Sequence, residues 1–136
     1  MVLLVSTLSV GYYFIEESAK DMFLQRQAGC AEQAQKAVKQ YYQETTEITR
    51  VGFLSSQNHY SQKQGKCFVF ISDLTREVNL VELIDAYQHS TVVSCVLSRN
   101  NPHDDYCVNG SQSVTGNGAR ITKDDFDRLL NQYMNE

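Results

Sequence analysis

The side chains here best suited to nucleophilic or metal chemistry are four cysteines, Cys30, Cys67, Cys95 and Cys107, and three histidines, His59, His89 and His103. A thiolate beside an imidazole would make a nucleophile and its base. Closely spaced Cys and His would instead make a zinc site. The spacing favours neither. There is no CxxC, and no histidine stands at a metal-ligand interval from a cysteine. All three histidines fall in turn or loop sequence, whereas the cysteines fall in regular elements. Asp104 and Asp105 follow His103 and could hold a cation, but acids beside Asn and Pro are more often turn formers. No GxSxG, HExxH, P-loop or GxGxxG occurs. The expectation is therefore a chain with no catalytic residues, no cofactor and no metal; an enzyme built on a Cys–His pair ranks third among the functional readings. Asn109-Gly110-Ser111 matches the glycosylation sequon, which bears only on a eukaryotic secretory pathway.

Without metal or catalytic work, four cysteines in a small domain suggest a disulfide framework if the compartment is oxidising. Three connectivities are open. Cys95 and Cys107 close a short loop through Asn-Asn-Pro, and Cys30 and Cys67 would then tie a long helix to a strand. The alternative is four reduced, buried thiols. The charge balance, 12 basic against 16 acidic residues, has no basic cluster and offers nothing to nucleic acid.

The N-terminal run 1–15, MVLLVSTLSVGYYFI, is uncharged and largely apolar, and Glu16-Glu17 end it. It is shorter than the about 20 residues of a spanning helix. It also lacks the basic start and the small-x-small cleavage site of a signal peptide. Three readings stay open: an uncleaved anchor, a signal-like segment, or a buried helix of a soluble fold. Residues 16–136 then form one domain.

The elements that would position these residues follow from periodicity. From Glu16 to about Glu44, Ile15, Ala19, Met22, Phe23, Cys30, Ala34, Val38 and Tyr41 recur at helical steps with no Pro between them, so one helix continuous with the leader is expected. Ile48–Ser56 reads as a strand. Gln57–Ile71 reads as a hairpin whose second arm, from Lys66, carries the apolar run Cys67-Phe68-Val69-Phe70-Ile71 and suits a central strand buried on both faces. Leu80–Tyr87 and Thr91–Leu97 pair as strands across a short turn. Tyr106–Val108 is a short edge segment, and Gly110–Gly118 a Gly/Ser/Asn loop. Thr122 is an N-cap for a closing helix with Phe126, Leu129, Leu130 and Tyr133 on its apolar face. The fold class is α+β: a long N-terminal helix on an antiparallel meander of about four strands, with a short C-terminal helix.

NHYSQKQGKCFVFI, the later LIDAY, the upstream helix with Gln27 and Cys30 to Ala34, and the closing FDRLLNQYM resemble a family of small bacterial exported proteins of unassigned activity. The resemblance covers about residues 25–136. It implies export and paired cysteines, and no activity. The order of elements is also similar to type IV pilin-like subunits, although the first acid here is Glu16, later than that family's early acidic residue. The expected function is a non-enzymatic exported or membrane-anchored module acting through protein contacts. It would be extracytoplasmic, in the periplasm or cell envelope, held through residues 1–15. Its partner would be another protein or a second copy. A pilin-like filament or envelope-complex subunit assembled through the N-terminal helix is the alternative.

Overall fold

The computed structural model describes residues 5–44, 53–75, 77–110 and 119–135, with side chains described from Ser18 onward apart from Phe53. The chain folds as α1 (Val5–Glu44), β1 (Phe53–Ser61), β2 (Lys66–Leu74), β3 (Val78–Asp85), β4 (Ser90–Ser98), β5 (Tyr106–Asn109), β6 (Ala119–Ile121) and α2 (Lys123–Asn135). The six strands form one antiparallel sheet in sequence order. This is the expected α+β meander between two helices, with six strands rather than about four. Ala119–Ile121 is only three residues long, too short for an alternating pattern to declare it. It pairs outside β5, so Tyr106–Val108 is not the edge that was expected.

β2 organises the core. Its alternate residues Cys67, Val69 and Ile71 enter one apolar cluster with Cys30, Ala34, Ala37 and Tyr41 of α1. Phe68 enters a second cluster, on the opposite face, with Phe126 of α2. A strand with helices on both faces needs apolar side chains at odd and even positions alike, which is why this run lacks alternation. The first cluster fixes the buried face of α1 at steps of four, three and four residues. That face begins at Phe23. Ala19 and Met22, expected on the stripe, are exposed, and Met22 and Leu24 keep 52% and 60% of their surface accessible. Helical spacing places residues on one face, but burial requires a sheet opposite them. Ile15 lies outside the described side chains.

The expected strand at Ile48–Ser56 and the first hairpin arm from Gln57 are one continuous strand, β1, starting at Phe53; residues 48–52 lie outside the described residues. The connections are local. Gly65 takes φ +63° in the β1–β2 turn, where Ser61 Oγ accepts from the Gln64 N–H at 3.3 Å. Between β3 and β4, buried Asp85 accepts from the N–H groups of Tyr87 and Gln88 at 3.1 and 3.2 Å. That Asx-type turn holds His89 in the left-handed region at φ 51°. Thr122 Oγ1 accepts from the Asp125 N–H at 3.1 Å and donates to the Asp125 carboxylate at 2.8 Å, the expected N-cap of α2.

Candidate functional site

All four cysteines are oxidised. Cys30 bridges to Cys67 and Cys95 to Cys107. The second pair joins residues directly opposite each other on β4 and β5, and the first ties α1 to β2. With both bonds formed, no thiol remains to act with a histidine.

The histidines lie apart. His59 sits half-buried on β1 opposite Phe68, and its Nε2 is enclosed with no hydrogen-bond partner among the described residues. Its neighbour Tyr60 points to the other face, where the Phe23 ring lies 6.3 Å away and Arg26 donates to its hydroxyl at 3.2 Å. His103 and its acids build a turn. Asn101 Oδ1 accepts from the His103 N–H at 3.2 Å, Asp104 accepts from the Asn101 side chain at 3.0 Å, and Asp105 accepts from the Ser98 N–H at 2.6 Å. These carboxylate oxygens are already committed to the loop. No group of three His, Cys, Asp or Glu stands at metal-binding distance among the described residues.

His89 shares a small hollow of about 80 Å³ with Glu82 and with Glu44 at the end of α1. Burial holds the Glu82 carboxyl above its ordinary range, and the Glu44 charge pushes it further up. Two acids and one exposed imidazole could exchange protons, but this hollow is too small for a substrate beyond a few atoms.

The larger concavity is a groove of about 470 Å³ between α1 and β1. Its origin is legible in β1. The register sets Leu54, Ser56, Asn58 and Tyr60 opposite β2 positions that face α1. Leu54 and Tyr60 fill the layer at the two ends and pack against the α1 cluster. Ser56 and Asn58 between them are short and polar, and the helix opposite contributes Ala31 and Ala34. The result is a hollow floored by Val69 and walled by Val38 and Tyr42, with Gln35, Gln43 and Gln57 among its polar lining. Its volume lies in the roughly 300–1,000 Å³ range of ligand-sized sites. Among the described residues Lys39 is the one charged residue lining it. No described carboxylate, imidazole or thiol faces it, so these residues offer apolar contact, hydrogen bonding and the Lys39 charge.

Along the chain Ala34 and Val38 belong to an apolar stripe, and Ser56 and Asn58 carry no role of their own. The signal was the Leu-x-Ser-x-Asn-x-Tyr alternation, a strand face bulky at its ends and small at its centre. The groove opens along β1, which forms one edge of the sheet. No protein-family model, curated protein or solved structure matches this chain.

Proposed function

We propose that this chain is a non-enzymatic, exported α+β module of the cell envelope that works through protein contacts made at the α1–β1 groove. The observation that carries the reading is a groove lined by amide, hydroxyl and apolar groups and by Lys39, without a carboxylate, imidazole or thiol among the described residues, opening beside an edge strand. The two disulfides fit an oxidising compartment outside the cytoplasm. Attachment to a membrane would come from the uncharged N-terminal run, of which residues 5–15 belong to α1. Among the described residues no helix is long and apolar enough to cross a membrane.

A photo-crosslinking side chain at Asn58, inside the groove, tests the contact. The expected result is a protein adduct that the same group at exposed Gln88 does not give. Intact mass after alkylation, with and without reduction, tests export: all four thiols should become accessible only on reduction. Thiols that alkylate freely in freshly isolated protein, with no adduct at Asn58, would sink the reading.

A second reading is assembly through the N-terminal helix, as in pilin-like subunits. It is favoured by the 40-residue length of α1 and by the exposure of Met22 and Leu24 where the helix passes beyond the sheet. Assemblies lost on replacing Met22 and Leu24 by Ser would support it.

A further inference from the structure

The groove between α1 and β1 holds a cation that the described residues leave uncompensated. Along α1, Lys36 pairs with Glu32 at 2.8 Å, and Arg26 donates to the Tyr60 hydroxyl. Lys39 has neither kind of partner among the described residues. The helix period explains why. A helical side chain meets those three and four positions away. For Lys39 these are Gln35, Lys36, Tyr42 and Gln43, none of them an acid. Across the groove stand Ser56, Gln57 and Asn58, again without a carboxylate. Glu44, the next acid along α1, lines the separate hollow beside Glu82 and accepts a hydrogen bond from Gln40. The chain as a whole carries a net charge of -4, so positive charge at this wall is local to the groove.

We propose that the groove takes a short segment of a partner protein in which an acidic side chain stands beside an apolar one. The inference rests on the reading that this chain acts through protein contacts at the groove, and it names the chemistry of the partner. A carboxylate supplies the counter-charge to Lys39 that neither α1 nor β1 provides, and such complementarity selects one partner over another. Val38, half-buried, and Tyr42, exposed, offer contact to an apolar side chain. The hydrogen-bonding side chains Gln35, Ser56 and Asn58 decide between polypeptide and lipid. Against an acyl chain they would lose their bonds to water with nothing in return, whereas peptide N–H and C=O groups replace those bonds. The groove opens along the β1 edge, so a chain can pass through it, and the carboxylate is that of an Asp or Glu side chain rather than of a chain end.

The test is a charge reversal, on the full chain with methyl-labelled valine in non-ionic detergent. The probes are two acetylated and amidated peptides, Ala-Leu-Asp-Leu-Ala and Ala-Leu-Lys-Leu-Ala. Titration should shift the Val38 methyl signals, with the acidic peptide binding about threefold tighter than the basic one, the size expected of a partly exposed ion pair. Lys39→Glu should reverse that order. Arg120→Glu, on β6 at the far edge of the sheet, makes the same change in net charge and should keep it. Asn58→Leu, which fills the groove from an exposed position, should abolish the shifts from both peptides while keeping the wild-type circular dichroism spectrum. Equal affinity for the two peptides overturns the proposal, as does an order that Lys39→Glu leaves unchanged. So does a Val38 signal that neither peptide moves but dodecanoate does, which would assign the groove to an acyl carboxylate. Any of these together with a protein adduct at Asn58 would leave the contact function standing with a partner of other chemistry.

Discussion

Asp85 and Glu82, three residues apart on β3, show how position decides what a carboxylate does. Asp85 is 1% exposed yet well served: two turn N–H groups reach one oxygen, and Lys66 Nζ stands 3.0 Å from the other, at ion-pair distance but off the line of a hydrogen bond. Asp85→Ala would leave both N–H groups without their acceptor and should cost about 2 kcal/mol in urea unfolding, with Asp85→Asn costing less because it keeps one acceptor oxygen. Glu82 has the opposite situation. Its carboxyl is raised by burial and then by Glu44, so the folded state holds the proton more tightly than the unfolded chain. An acid raised in this way costs stability once it ionises, and the cost disappears as pH falls below the ordinary value of 4.5. Glu82→Gln should therefore melt higher than wild type at neutral pH, with the difference closing in acid. A gap that widens as pH falls would contradict this account.

At the scale of elements, α2 depends on its start. Thr122 and Asp125 form a capping pair, Asp124 and Asp125 lie at the positive end of the helix, and Lys123–Asp127 and Arg128–Asp125 pair along its exposed side. The surface pairs contribute little, whereas the cap holds one of the four unpaired N–H groups of the first turn. Thr122→Ala should lower stability by about 1 kcal/mol in thermal or urea unfolding, and Thr122→Ser should restore most of it. α1 differs. Glu32–Lys36 and Gln40–Glu44 support it along its exposed side, but its place on the sheet comes from Cys30, Ala34, Ala37 and Tyr41. Small residues at two of these four positions let the helix approach closely, and the same economy of side-chain volume leaves the groove beside Ser56 and Asn58.

For the whole molecule, the two disulfides have different jobs. Cys95–Cys107 joins neighbouring strands already held by the ladder, over a separation of 12 residues. Cys30–Cys67 spans 37 residues and joins layers that share no backbone hydrogen-bond ladder. The chain-entropy relation gives about 3 kcal/mol for the first and about 4 for the second. Removing both cysteines of a pair by Ala should follow that order in urea unfolding. Hydrogen exchange should also separate them: loss of Cys30–Cys67 should lower protection along α1 more than along α2, because only α1 loses its covalent tie to the sheet.

Much of this architecture was legible from residues alone. The Cys67–Ile71 run called for cover on both faces, Thr122 announced its helix, and the loop through Asn101 and Pro102 brought Cys95 to Cys107. These are local signals: periodicity, capping chemistry and short-range loop closure. β6 was not legible, because three residues carry no period and the strand exists only by pairing with β5. The groove was not legible either. It arises where small residues on α1 face small residues on β1, and the sequence separation between them hides which residues meet. The exposure of Ala19 and Met22 has the same origin. Spacing within one element is set by backbone geometry and can be read along the chain, whereas volume between two elements depends on their docking, which only the tertiary structure decides.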